Sequence, residues 1–363
     1  MPTPFVIAEA GVNHNGSLDR ALELVDIAVE AGADAVKFQT FSASDLADAH
    51  ADLAEYQRTS SDDSRTQLDL LRSLELTHEE FAAIRAHCDE RGIPFLSTGF
   101  DVPELRFLVD ELEIPIVKIA SGDLTFAPLL VAAGETGLPT ILSTGMADLD
   151  EIGRALRFLA FGYARFDGVI DAAARPTAEA LETAWHARDD HREFAQTVTV
   201  LHCTTQYPAS PESLNLRAMR TIAEEFGTRV GYSDHSLGST ASVIATTLGA
   251  AVIEKHFTTD RSLPGPDHSA SLDPDGLRAF VRDLRDVEVM LGSPVKECQP
   301  VEAGNRDVVR RSIFAARDIA EGATITEADL VCRRPAQGRT AFDFWEVVGT
   351  TATRPHRAGE HVG

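Results

Sequence analysis

Eight short apolar runs recur along this chain of 363 residues, and every one of them turns polar toward its carboxyl end. The runs are FVIAEAG (5–11), ADAVKFQ (33–39), PFLSTGF (94–100), PIVKIAS (115–121), PTILSTG (139–145), VTVLHCT (198–204), RVGYSDH (229–235) and AVIEKHF (251–257). Amphipathic stretches with helix-boundary signals separate most of them: Leu18 to Glu30 before Gly32, Thr77 to Glu90 before Gly92, Pro103 to Leu112, and Asp273 to Leu291 with Pro274 after its cap. Near-continuous apolar strands alternating with helices predict a parallel sheet covered on both faces, and eight strands close into a (β/α)8 TIM barrel of the α/β class. A doubly wound sheet is the alternative, but GVNHNGS after the first run is not a Gly-rich phosphate turn.

The run ends carry Glu9; Lys37 and Gln39; Ser97 and Thr98; Lys118 and Ser121; Ser143 and Thr144; His202 and Thr205; Ser233 and His235; Glu254 and His256. In a barrel this is the face that does chemistry. Side chains alternate along a strand, so Ser233 shares a face with His235, and Glu254 with His256. Two histidines at neighbouring strand ends suit a divalent metal such as Mn, Co, Fe, Ni or Zn, with coordination positions left for water and substrate oxygens. The competing reading is two hydrogen-bonded histidines with no ligand role.

Basic residues are chosen unevenly. Arginine occurs 29 times and lysine four, at Lys37, Lys118, Lys255 and Lys296. The first three lie in strand-like runs, where a compact ammonium can meet a phosphate or carboxylate in a crowded site. A net charge of −24 argues against nucleic acid or an acidic membrane as partner. No apolar run approaches the ~18 residues that span a membrane. MPTPFVIAEAG has no basic region ahead of its apolar run, so a cytoplasmic location is the default expectation. Cys88, Cys203, Cys298 and Cys332 show no disulfide or metal spacing and are expected to be reduced and mostly buried.

Residues 42–76 read as a long loop with a helix at each end, a lid over the rim. Residues 148–196 read as peripheral decoration. After Gly292 the pattern changes, which divides the chain into a catalytic barrel (1–292), a polar linker (293–308) and a small β-rich module (309–363) too short to be comfortably stable alone.

Taken together, IAEAGVNHNGS, AVKFQTF, FLSTGFD, KIASGD, STGM, HCTTQYP, GYSDHSLG, EKHFT, GPDH, RRSIFAARDI and CRRPAQG resemble the sialic acid synthases and other nonulosonic acid synthases over nearly the whole chain. The resemblance implies that 309–363 is an SAF domain, similar to type III antifreeze proteins. It further implies an enzyme that condenses phosphoenolpyruvate with the open-chain aldehyde of an N-acylated hexosamine, N-acetylmannosamine or a diamino-dideoxy analogue, and releases phosphate. The implied cofactor is a divalent ion, manganese first, with magnesium or cobalt as alternatives, held by His235 and His256. Lys37, Thr98, Lys118, Ser121, Ser143 and Ser233 are placed around phosphoenolpyruvate. Glu9, Gln39, Tyr207 and Glu254 are placed on the sugar side, with Glu9 and Glu254 as proton-handling carboxylates; Asp267 of GPDH joins the substrate-binding set. Arg334 of CRRPAQG aligns with an arginine lent to a partner subunit's site, which implies a domain-swapped homodimer.

The chain departs from the common family pattern at Gly99 in STGFD, Asp123 in SGD and Thr205 in HCTTQYP, all expected near the acceptor sugar and joining Asp123 and Thr205 to the substrate-binding set. Two rival readings stand beside this one: a synthase acting on a phosphorylated sugar, and a metal-dependent carbohydrate-binding protein.

Overall fold

The computed structural model describes residues 3–48, 66–187, 194 and 196–362. They fall into two units, 1–292 and 293–363.

In the first unit the eight runs form eight parallel strands: β1 (Phe5–Gly11), β2 (Ala35–Thr40), β3 (Phe95–Gly99), β4 (Val117–Ile119), β5 (Thr140–Ser143), β6 (Val198–Cys203), β7 (Arg229–Asp234) and β8 (Val252–His256). They close in sequence order into a barrel, with β8 paired back onto β1. The helices begin and end where local chemistry dictates. Ser17 caps Leu18–Ala31 and Gly32 stops it at φ 76°, a left-handed conformation that glycine adopts without steric cost. A Thr77–Glu80 capping box starts His78–Arg91, and Asp273 caps Pro274–Leu291. The stretch 103–112 is not one α-helix: Val102–Arg106 runs on into a wider π turn, Phe107–Glu111, with Phe107 stacked on His78 at 3.6 Å.

Inside the barrel Ile7, Ala35, Leu96, Ile141, Leu201 and Val252 pack as one apolar layer, with Ile116 against it. Because the side-chain period is two, the next inward residue on each strand is Glu9, Lys37, Thr98, Ser143, Cys203 and Glu254, with Lys118 above Ile116. In β7 the apolar position is Gly231, where a Cβ would meet Leu201 Cδ2 and the Val252 carbonyl at 2.5 Å, and Ser233 follows it. A polar layer thus rests directly on an apolar one.

The segment 148–196 is only partly decoration. Its first helix, Leu149–Phe166, belongs to the barrel's outer ring and buries Ile152, Leu156, Leu159 and Tyr163 in the main core. It approaches Ala127–Glu135 so closely that a Cβ on Gly134 would lie 2.3 Å from the Leu159 carbonyl, and one on Gly162 would lie 2.2 Å from that of Val131. The glycines carry the contact that sequence periodicity missed. The later helix, Ala178–Ala187, buries only Ala184 and fits the peripheral reading. Of 42–76, the described parts are the short helix Ala43–Leu46 and Gln67–Leu74; the expected lid centres on 49–65, outside the described residues.

The second unit pairs β9 (Ser312–Ala315) antiparallel with β10 (Leu330–Arg333) over a small core of Ile313, Ile319, Ile325, Leu330, Val347 and Val362. The stretch expected to be a plain linker carries a helix, Ala303–Val309, and the Ala336 amide donates to the Asp307 carbonyl at 2.9 Å. This stretch groups with the second unit, because its backbone bonds close there. No described helix is long and apolar enough to cross a membrane.

Candidate active site

Four ionisable side chains from four strands meet in the polar layer. Lys37 Nζ lies 2.6 Å from Glu9 Oε2 and 3.6 Å from Glu254 Oε2, and Lys118 Nζ lies 3.7 Å from Glu254 Oε1. All four are at most 4% exposed. Around them Thr98 Oγ1 accepts from Lys37 at 3.2 Å, Ser233 Oγ donates to Glu254 Oε1 at 2.9 Å, and Gln39 Nε2 donates to Glu9 Oε1 at 3.3 Å. Ser143 Oγ is buried without a protein partner.

Burial acts on all of these groups and their neighbours decide the outcome. Burial raises Glu9 to about 7, against the opposing pull of Lys37. Burial would raise Glu254 too, but Lys118, Lys37 and the Ser233 hydroxyl together hold it down at about 2. Burial works against the Lys37 ammonium, yet the two carboxylates win and raise its pKa; Lys118, with burial dominant and one near carboxylate, is lowered. One carboxylate is therefore firmly ionised and the other is poised near neutrality, a division typical of acid–base pairs.

One layer further out are the two histidines. Their ring centroids are 5.5 Å apart, and Tyr207 packs on both, at 4.1 Å from His235 and 5.7 Å from His256. Burial lowers the pKa of each, so both rings are neutral, the form that binds metals. His235 Nδ1 donates to the Thr204 carbonyl at 2.7 Å, which leaves the Nε2 lone pair on the side of Ser233 Oγ, 3.5 Å away. A backbone carbonyl that fixes the imidazole tautomer in this way is the usual outer partner of a metal-binding histidine. His256 Nδ1 is buried without a hydrogen bond, 3.7 Å from Asp267 Oδ2. Burial raises Asp267 to about 6. These donors fit a divalent ion. Among the described residues no cluster of three His, Cys, Asp or Glu side chains is arranged to hold one, so an ion held by these two histidines would need water or another ligand to fill its remaining positions.

The remaining rim residues lie after β4, β5 and β6. Ser121 and Asp123 share a 3-10 turn, and Asp123 Oδ2 is buried without a partner; burial raises that carboxyl to about 6 while Lys118 draws it down. Ser121 and Thr205 both approach Gly145: a Cβ there, where φ is 49°, would stand 2.7 Å from Ser121 Oγ and 2.8 Å from Thr205 Oγ1. Gly99 lets helix Val102–Arg106 close over β3, since a Cβ would meet the Leu105 amide at 2.8 Å.

Several strand-end residues do not join the site, because neighbours in a strand face opposite ways. Ser97 bonds Thr40 Oγ1 at 2.7 Å, Thr144 bonds the Leu201 carbonyl at 3.0 Å, and His202 bonds the Leu214 carbonyl at 2.7 Å. Lys255 also faces outward, where it meets the Asp234 carboxylate at 3.2 Å, so of the three strand lysines only Lys37 and Lys118 join the inward polar layer. Cys203 was not singled out, yet it occupies the inward polar layer and accepts from the Gly145 amide at 3.1 Å; its position two residues after Leu201 was the available signal. Arg334 is exposed on the second unit. A groove of about 1050 Å³ lined by Pro208, Pro211, Leu214, Leu237, Ile244 and Leu248 contains none of the charged quartet and is not where this chemistry sits.

Residues 24–296 match the NeuB family and 310–362 the SAF domain. The chain is 42% identical to the N,N'-diacetyllegionaminic acid synthase of Legionella pneumophila, over 99% of this chain and 95% of that protein. It is 32% identical to the human N-acetylneuraminate-9-phosphate synthase, over 95% of this chain and 87% of that protein. The crystal structure of an N-acetylneuraminic acid (sialic acid) synthetase from Leptospira borgpetersenii superposes with a TM-score of 0.65 at 31% identity, covering 84% of this chain and 90% of that one. By its barrel, its second unit and its likeness along nearly its full length, this chain belongs to the NeuB family and carries an SAF domain.

Proposed function

We propose that this chain joins phosphoenolpyruvate to the open-chain aldehyde of an unphosphorylated N-acylated amino sugar, giving a nonulosonic acid and phosphate. The observation that carries the reading is the buried quartet Glu9, Lys37, Lys118 and Glu254 beneath two neutral imidazoles. A binding protein has no need to bury two ammonium groups against two carboxylates of such different acidity. The name of the 42% identical Legionella relative supports a diacetylated diamino sugar as acceptor, with N-acetylmannosamine the second choice.

Without substrate the quartet is close to neutral overall. The phosphate and carboxylate of phosphoenolpyruvate draw the ammonium groups of Lys37 and Lys118 from the two glutamates, with Thr98, Ser121, Ser143 and Ser233 supplying hydroxyls. A multiply charged anion entering so dry a site favours a cation beside it. His235 and His256 would hold that cation, Mn²⁺ in our reading, with the Thr204 carbonyl orienting His235. When bound, such an ion supplies Lewis-acid stabilisation of the charge that grows on the aldehyde oxygen.

The bond forms between C3 of the enol and the aldehyde carbon, the aldehyde oxygen takes a proton, water adds at C2, and the resulting phosphate hemiketal expels phosphate. Glu254, pinned between two lysines, stays ionised and positions them. Glu9 is the group able to accept the proton of the attacking water, and Gln39 fixes its orientation. If Glu9 is the base, it must be ionised, so kcat/KM, which reports the free enzyme, falls as pH drops through about 7. Glu9→Gln should lose most activity and flatten that limb of the pH profile. A fully active Glu9→Gln enzyme excludes the role.

Among the described residues the fully buried basic side chains other than histidine are Lys37, Lys118 and the outward-facing Lys255, which leaves no buried second cationic pocket for a phosphorylated acceptor. The deciding assay is phosphate release from phosphoenolpyruvate with a panel of N-acyl sugars, free and phosphorylated, with and without chelator. Turnover restricted to phosphorylated sugars, or unaffected by exhaustive metal removal, contradicts the reading.

The reading includes a domain-swapped homodimer in which Arg334 serves a second copy. Arg334→Ala and His256→Ala subunits, each inactive alone, should then regain about a quarter of wild-type activity after random exchange, because half the dimers are mixed and each mixed dimer has one intact site. Exchange verified by mass without recovery argues against it.

A further inference from the structure

Lysine is rare in this chain, and Lys255 is the one strand lysine that the reaction leaves unused. It stands directly opposite Asp234 in the parallel pairing of β7 with β8. Each of the two residues immediately precedes one of the histidines. Alternation therefore turns both away from the barrel interior, and Lys255 Nζ lies 5.9 Å from the ring of Phe280 on helix Pro274–Leu291. Asp234 and Lys255 are each 1% exposed.

The pair does more than neutralise itself. Asp234 Oδ1 accepts from the Ser236 amide at 2.8 Å and from Ser236 Oγ at 2.7 Å, while Oδ2 accepts from Ser242 Oγ at 2.6 Å. Lys255 Nζ also donates to the Ser236 carbonyl. Both backbone polar groups of Ser236 are thus held by the pair, and His235 is clasped between Asp234 and Ser236. On β8, Lys255 is flanked by Glu254, which Ser233 bonds from β7, and by His256. One ion pair on the outer face staples the two strand ends whose inner faces present the imidazoles. A compact ammonium reaches Asp234 and the Ser236 carbonyl together, which a planar guanidinium is poorly shaped to do.

We propose that Asp234 and Lys255 are positioning residues that set the separation and orientation of His235 and His256 for the divalent ion. This rests on the metal-dependent reading above. A merely structural pair is the rival explanation, and the two differ in what they predict for metal affinity in a folded variant.

The double variant Asp234→Asn/Lys255→Met removes both charges while keeping side-chain size and an acceptor for the Ser236 amide. Full-length wild-type and variant proteins, stripped of metal, are titrated with Mn²⁺ alone and the free ion is counted by electron paramagnetic resonance. The expected result is a melting temperature close to wild type with Mn²⁺ affinity weakened about tenfold or more, as for other outer partners of metal ligands. Activity lost at limiting Mn²⁺ should return at saturating Mn²⁺, with the KM for phosphoenolpyruvate unchanged. A folded variant that binds Mn²⁺ as tightly as wild type overturns the proposal. Wild-type protein that binds no Mn²⁺ overturns it together with the metal-dependent reading, so the two failures are distinguishable. If the double variant does not fold, Ser242→Ala, which removes only the hydroxyl donated to Asp234, carries the test: weaker Mn²⁺ binding supports the proposal and unchanged binding overturns it.

Discussion

Alanine in place of His235 or His256 abolishes phosphate release from phosphoenolpyruvate and leaves the barrel folded. The expected loss is about 10³-fold or more, the kinetic equivalent of losing several kcal/mol of charge stabilisation at the reacting oxygen. Folding should survive because neither ring fills the apolar core: both stand in the outer layer, packed on Tyr207 and backed by the Thr204 carbonyl and Asp267. Circular dichroism, together with turnover measured across a Mn²⁺ titration, checks both halves. A variant that keeps near-normal turnover excludes a metal-holding role for that histidine, and one that unfolds shows it to be a structural member.

The second large effect is expected at Glu254. It is the one carboxylate that both Lys37 and Lys118 approach, and it is fully buried with them. Glu254→Gln leaves two buried ammonium groups with only Glu9 to balance them. Breaking a buried ionic cluster from one side costs about 3 kcal/mol or more, since the remaining charge stays desolvated. The variant should therefore be inactive and melt well below wild type. Because the deficit is one of negative charge, added inorganic phosphate should restore more stability to Glu254→Gln than to the wild-type protein. Thermal unfolding with and without phosphate decides it; an unchanged melting temperature means that Lys118, whose pKa is already lowered, sheds its proton instead.

The two effects have a common structural origin. The inward-facing layer is polar at the carboxyl ends of the strands and apolar directly beneath, so each substitution changes a polar group without opening a cavity in Ile7, Leu96, Ile141, Leu201 and Val252.

Much of this was legible in the residues themselves. Each strand lies inside the run that announced it or overshoots it by a single residue, as at Thr40, and the helix stops at Gly32 and Gly92 are where glycine placed them. The pairing of Ser233 with His235 and of Glu254 with His256 on shared faces follows from alternation alone, and the Ser233–Glu254 bond joins the two pairs. These features are local: a side chain's face depends on its immediate neighbours, and a helix ends where one residue takes a left-handed conformation.

Tertiary structure decided the rest. Which member of each polar couplet faces inward, Thr98 and not Ser97, Glu254 and not Lys255, depends on the phase of alternation, and that phase is fixed only when the apolar layer packs inside a closed barrel. The division of labour between Glu9 and Glu254 was likewise beyond the sequence. The two carboxylates lie at opposite ends of the first unit's sequence and differ because Lys118, brought across the barrel from β4, lies within 3.7 Å of Glu254 and is its foremost charge partner, while on Glu9 it is the weakest of the charges that act. Sequence determined the elements and their polar ends, because those depend on neighbours along the chain. Only the closed barrel decided the charges, because desolvation and Coulombic interaction act through space between residues that the chain keeps far apart.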